Sequence, residues 1–152
     1  MKIELAKKEI IHFIGIGGIG MSGLSLIMKG KGFKVQGSDI IVNKNIERLK
    51  KEKIKIFVGH KNSNLKNVTI VVVSSAIKKD NHQFENAKFY RDIDCCWIID
   101  QNYFDEKIDD LLKDILNNKS NYFKKKENLK KLNYQNTWNN VNQKILKSIN
   151  EN

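Results

Sequence analysis

The stretch Ile10-Ile11-His12-Phe13-Ile14-Gly15-Ile16-Gly17-Gly18-Ile19-Gly20-Met21 decides the fold. Its first five residues are a β-branched and aromatic run, closed by a glycine, as in a buried strand. Residues 15–20 satisfy G-x-G-x-x-G, and the residues that follow, from Ile19 to Met28, carry apolar side chains at near-helical spacing. A glycine-rich turn between a strand and a helix is the setting in which that motif holds a diphosphate. Gly15 is expected to make the tight turn, Gly17 to let the backbone approach phosphate, and Gly20 to let the helix pack on the sheet. The open N–H groups and the positive end of the helix then complete an anion site. A side chain at Gly17 is expected to block the ligand with less effect on folding.

Working outward, strands are expected at Phe33–Gly37, Ile54–Val58 and Val68–Val73, with a short helix over Lys44–Lys51. Strands separated by helices of these lengths imply right-handed crossovers and a parallel sheet. Asp39 ends the second strand 19 residues beyond Gly20, where a dinucleotide fold puts its ribose-binding acid.

Composition divides the chain near residue 80. All nine glycines lie at or before Gly59, whereas ten of the thirteen aromatic residues and fourteen of the nineteen asparagines lie after residue 80. Two segments are therefore expected, a Rossmann-like domain over 1–80 and an α-rich segment over 81–152. Within the second, a helix over Asp105–Leu116 aligns Ile108, Leu111, Leu112, Ile115 and Leu116, and a last helix aligns Trp138, Val141, Ile145 and Ile149.

Of the 152 residues, 28 are Lys or Arg and 17 Asp or Glu, a formal net charge of +11. The lysines are scattered without interleaved aromatics, unlike a single-strand binder, so no nucleic-acid partner is expected. A basic face attracts anionic small molecules equally well. No stretch reaches the 18 or so uncharged apolar residues of a membrane span. Cys95 and Cys96 are adjacent and suit neither a disulfide framework nor a four-ligand zinc site. A cytoplasmic location is expected.

The glycine turn lies in a longer pattern. Ile11 to Leu24, then Val35-Gln36-Gly37-Ser38-Asp39, Ile56-Phe57-Val58-Gly59-His60 and Val71-Val72-Val73-Ser74-Ser75-Ala76-Ile77 strongly resemble the N-terminal domain of UDP-N-acetylmuramate–L-alanine ligases, of the Mur ligase family. The resemblance covers residues 9 to about 81. It implies peptidoglycan precursor synthesis, with UDP-N-acetylmuramate as ligand. By that resemblance Gly15, Gly17, Gly18, Ile19, Gly20 and Met21 form the diphosphate cradle, and Ser38, Asp39, His60, Ser74 and Ser75 surround the nucleotide. Ligases of this family use ATP and magnesium through G-x-x-x-x-G-K-[ST] in a further domain. No Gly-Lys-Ser/Thr occurs here, so these residues are expected to bind no cofactor and to be catalytically incomplete.

From Asp80 the sequence Asp80-Asn81-His82-Gln83-Phe84-Glu85-Asn86-Ala87 resembles the D-x-H-Q-x-x-N-A signature of the lipid-linked N-acetylglucosaminyltransferases of peptidoglycan synthesis. Cys95-Cys96-Trp97-Ile98-Ile99-Asp100-Gln101 and the helices after it look like the tail of those enzymes. That likeness puts Gln83 near a UDP-sugar donor and makes the chain read as a fusion or remnant with its seam at Asp80-Asn81. Two other readings compete, an NAD-type dinucleotide domain using Asp39 and a ligand-free interaction protein.

Overall fold

Strand β1, Ile10–Ile14, is the centre of a five-stranded sheet. The computed structural model describes residues 8–78 and 80–135. In chain order the elements are β1, helix α1 (Ile19–Gly30), β2 (Lys34–Asp39), α2 (Lys44–Lys51), β3 (Lys55–Val58), a 3-10 turn (Asn62–Leu65) and β4 (Ile70–Val73). They continue with α3 (His82–Asp92), β5 (Trp97–Asp100), a second 3-10 turn (Gln101–Tyr103), α4 (Phe104–Asn117) and α5 (Lys119–Gln135). The sheet order is β3-β2-β1-β4-β5, and every pair is parallel. The α/β Rossmann-like class read from the sequence is the class observed. The last expected helix, with Trp138, Val141, Ile145 and Ile149, lies outside the described residues.

Strand alternation sorts the side chains into two cores. On one face Ile11 and Phe13 of β1, Ile70 and Val72 of β4 and Ile99 of β5 pack against Met21 and Met28 of α1, Ile46 and Leu49 of α2, and Phe104, Ile108 and Ile115 of α4. On the other face Ile14, Val71 and Val73 meet Leu65, Phe84, Ala87 and Cys96, mostly under α3. His12, Gln36 and Ser38 share that second face, so it is polar beneath β1 and β2.

The sheet crosses the composition break. Asn81 caps α3, its side-chain oxygen accepting from Gln83 N at 3.0 Å and Phe84 N at 3.1 Å. Beyond α3, Val71 pairs with Ile98 and Val73 with Asp100, so β5 lies directly against β4. The second segment thus contributes a strand that its helical reading did not include.

The two terminal helices dock on this frame. Glu9 is 2% exposed, and its carboxylate accepts from Thr69 Oγ1 at 2.5 Å, Tyr122 OH at 2.6 Å and Lys126 Nζ at 3.0 Å. Asp94 holds the same helix through Lys124 at 3.1 Å and through Lys125. The Lys125 hydrogen bond is the main reason that the Asp94 carboxyl titrates below its usual range.

Candidate functional site

Strand order reverses between β1 and β4, and the carboxyl ends of these strands open into a crevice. A cavity of about 550 Å³ lies there, lined by the Gly15–Gly18 turn, Asp39–Ile41, His60 and Ser74. Lys78 and Asp80 reach its edge from the β4–α3 connection.

The turn is built by hydrogen bonds to both neighbouring strands. Gly15 N and Ile16 N donate to Ser38 O at 2.8 and 3.1 Å, and Ser74 N donates to Ile14 O at 3.1 Å. Gly15 has φ +81°, the left-handed region that an L side chain rarely adopts. The Gly17 peptide is clamped on both sides: its N–H donates to Asp39 Oδ2 at 2.8 Å, and its carbonyl accepts from Asn43 Nδ2 at 3.1 Å and Asn45 Nδ2 at 2.9 Å. Ser22 N is bonded to Gly18 O at 2.8 Å, which leaves the amides of Ile19, Gly20 and Met21 as the open donors of the first turn of α1. An anion meeting the turn finds these donors and the positive end of the helix.

Apart from Gly20, the expected site residues fall into three sets. Gly15, Gly17, Gly18, Asp39, His60 and Ser74 line the cavity, while Ile19 and Ser75 stand exposed beside it. Met21, Ser38 and Gln83 are fully buried behind it. Two expected roles change. A Cβ at Gly17 would meet Asp39 Oδ2 at 2.9 Å, Asn43 Nδ2 at 3.1 Å and Ile46 Cγ1 at 3.1 Å, so that position faces the clamp. A Cβ at Gly20 would meet Gln101 Nε2 at 2.5 Å, so its close neighbour is a side chain from the end of β5 and not the sheet.

Gln101 is a residue that the sequence reading left without a role at this site. Its Oε1 accepts from Ser74 Oγ at 3.1 Å and Ser75 N at 3.4 Å, tying the end of β4 to the start of α1. No sequence signal marks it, because the pairing spans 27 residues of chain.

Behind the cavity lies a polar network. Gln36 Nε2 donates to Asn64 O at 2.8 Å and to His12 Nδ1 at 3.1 Å. His12 Nε2 lies 3.1 Å from Ser38 Oγ, and Ser38 Oγ donates to Gln83 Oε1 at 2.6 Å. Gln83 Oε1 is 2.9 Å from His60 Nδ1, and Gln83 Nε2 donates to Lys61 O at 3.3 Å. Burial first, and His60 second, push the His12 imidazole down to about 3, so it is neutral. A polar residue inside the apolar run Ile10–Ile14 is the signal that could have announced this network.

Residues 10–91 match the family model described as "Mur ligase family, catalytic domain". The chain is 68% identical over 88 residues to the UDP-N-acetylmuramate–L-alanine ligase of Pelagibacter ubique, an alignment covering 58% of this chain and 19% of that protein. It is 54% identical over 79 residues to the same-named ligase of Rickettsia canadensis, covering 52% of this chain and 17% of that one. Among solved structures, UDP-N-acetylmuramate–alanine ligase from Thermotoga maritima superposes with a TM-score of 0.58 at 34% identity, covering 65% of this chain and 22% of that one. The chain thus spans about a fifth of the length of the curated relatives it matches.

Proposed function

The chain belongs to the Mur ligase family, and we propose that its sheet binds the sugar nucleotide of peptidoglycan precursor synthesis, UDP-N-acetylmuramate, in the cytoplasm. One observation carries this reading: the cavity at the strand-order reversal is floored by the glycine turn, within the residues that the family model matches. The diphosphate lies on the first turn of α1, against the open amides of Ile19 to Met21. Asp39 fixes the Gly17 peptide, Ser74 and Ser75 form the β4 side, and His60 meets the nucleoside. Lys78 supplies a positive charge at the mouth.

This reading assigns the 152 residues ligand binding and no phosphoryl transfer. The sequence has no G-x-x-x-x-G-K-[ST], and among the described residues no cluster of three or more His, Cys, Asp or Glu is placed to hold a metal. We therefore assign ATP and magnesium, which ligases of this family use, to no residue here. The NAD-type alternative has less support, because the family model and the curated relatives that the chain matches are Mur ligases, and the Asp39 carboxylate serves the turn itself, accepting from Gly17 N and from Ile41 N at 3.2 Å. A glycosyltransferase role for residues 80–152 has less support too. The Mur ligase match runs on to residue 91, and Gln83, the residue meant to meet a sugar donor, is 0% exposed.

Calorimetry tests the proposal. UDP-N-acetylmuramate is expected to bind, and NADH and ATP to give no saturable heat. Gly18→Val is the informative variant: Gly18 is extended at φ −62° and ψ 152°, and a Cβ there has nothing nearer than Gly15 O at 3.4 Å. The Cβ has room and the isopropyl group narrows the cavity, so affinity is expected to fall about tenfold or more while the fold is kept. Equal affinity in wild type and Gly18→Val, or preferential binding of NADH, would refute it.

A further inference from the structure

His60 is the one imidazole that lines the cavity, and the side chains behind it fix which of its nitrogens carries the proton. Lys61 O can only accept, so the amide nitrogen of Gln83 lies on that side and the carbonyl oxygen faces Ser38 and His60. Ser38 Oγ also lies 3.1 Å from His60 Nδ1, but its hydrogen goes to Gln83 Oε1 at 2.6 Å; a carbonyl oxygen cannot donate, so the 2.9 Å contact between His60 Nδ1 and Gln83 Oε1 puts the hydrogen on Nδ1. The same reasoning settles the neighbours. Asn64 O orients Gln36, which donates to His12 Nδ1; His12 Nε2–H then donates to Ser38 Oγ, and Ser38 donates to Gln83. His12 Nε2 and Gln83 Nε2, 3.2 Å apart, are both donors in this assignment and touch without bonding. Every buried side-chain polar atom among the described residues has a partner. His60 Nε2 has no hydrogen-bond partner among those residues.

We propose that Gln83 is a positioning residue: its carbonyl oxygen holds His60 in the Nδ1–H tautomer and presents Nε2 to the cavity as a hydrogen-bond acceptor. The recognised group is a ligand N–H or O–H, such as the imide N–H or a ribose hydroxyl of a uridine nucleotide. The inference rests on reading the cavity as a UDP-sugar site. It moves Gln83 from contact with the ligand to control of a residue that makes the contact. Among the described residues, the charged and titratable groups placed near His60 are His12 from β1, Lys61 next in sequence, and Asp39, Lys78 and Asp80, which line the same cavity. His12 stays neutral across the pH range used below.

The first test needs no ligand. Nitrogen-15 NMR of the ring nitrogens at neutral pH is expected to show His60 protonated at Nδ1, and Gln83→Leu to shift it toward Nε2. A wild-type His60 protonated at Nε2 overturns the proposal. The second test is the pH dependence of UDP-N-acetylmuramate affinity between about pH 5.5 and 8, the range over which histidine side chains as a class change charge. Protonation turns the Nε2 acceptor into a donor, so affinity is expected to fall about 3- to 10-fold on acidification. Gln83→Glu puts a carboxylate beside Nδ1 and should move the midpoint of that fall upward by about one to three pH units. His60→Gln keeps an acceptor and should remove the pH step while binding at neutral pH. An unmoved midpoint in Gln83→Glu overturns the proposal. Absence of any UDP-N-acetylmuramate binding by the wild type refutes the proposed function instead, and the tautomer measurement then decides this inference alone.

Discussion

Tyr122 OH donates to Glu9 Oε1 at 2.6 Å across 113 residues of sequence. Glu9 sits just before the first strand and Tyr122 in the last described helix, so this bond ties one end of the fold to the other. Burial and the hydrogen bond to Glu9 hold the Tyr122 phenol well above its usual range, so it is a fixed donor at any physiological pH.

Tyr122→Phe keeps the ring and its edge-on contact with Phe123 at 5.2 Å between centroids, and removes only the hydroxyl. Hydrogen bonds to charged groups contribute about 1.5–3 kcal/mol. Thr69 and Lys126 still satisfy the carboxylate, so the lower part of that range is expected. Urea unfolding measures it, and a change in midpoint too small to resolve would show that α5 is not held through Glu9.

Acid should weaken the fold through His12. Its folded pKa, about 3, lies below the unfolded value of about 6.5, so in between the unfolded chain binds a proton that the native state refuses. Stability therefore rises with pH through that window, by about 1.4 kcal/mol per pH unit from this group. His12→Gln lowers the starting stability, and it should also flatten the dependence between about pH 6 and 4 by that slope. Parallel stability curves for the two proteins would contradict it.

Much of this was legible because it is local. The run Ile10–Ile14 and the glycine turn announce β1 and α1, and the expected helix over Lys44–Lys51 matches α2. Spacing put Asp39 at the end of β2 as a ribose contact; that its carboxylate bonds Gly17 N is visible only in the structure. What the sequence hid depends on partners distant in the chain. Trp97–Asp100 is four residues long, too short for alternation to separate strand from helix, and becomes a strand because β4 offers it an edge. Gln83 carries the sequence look of a ligand contact. Its burial follows from α3 lying over His12, Ser38 and His60, which no spacing rule reports. The break in glycine and aromatic content at residue 80 falls in a connection inside one sheet, since composition follows local needs and sheet pairing does not.

The adjacent cysteines should be inert in the native state. Cys95 is 0% and Cys96 1% exposed, and burial is the first cause of the rise in both thiols, Cys96 to about 12. Disulfide-exchange reagents need a thiolate and access. At about pH 8 the folded protein should react with fewer than one equivalent of such a reagent over minutes, and with two after urea unfolding. Fast native-state labelling would mean that β5 opens readily from β4.

Gly17 and Gly18 should separate folding from binding. From the sequence, Gly17→Val is the natural way to block a diphosphate with little structural effect. The structure assigns that test to the neighbouring glycine. At Gly17 a Cβ would press on Asp39 Oδ2, Asn43 Nδ2 and Ile46 Cγ1 within 3.1 Å, and these atoms belong to the clamp on the turn and to a fully buried side chain. Overpacking of this kind costs about 1–3 kcal/mol, so Gly17→Val should lower the melting temperature by several degrees. At Gly18 the nearest atoms are Gly15 O at 3.4 Å and Met21 Cβ at 3.9 Å, ordinary contacts, and the backbone is already extended. Gly18 is the N-cap of α1, where Val is a poorer residue than Gly, so Gly18→Val should melt somewhat below wild type but above Gly17→Val. Scanning calorimetry of the two variants without ligand gives the contrast directly. If Gly18→Val melts lower than Gly17→Val, the Asp39–Gly17–Asn43 clamp is not what holds the turn in shape.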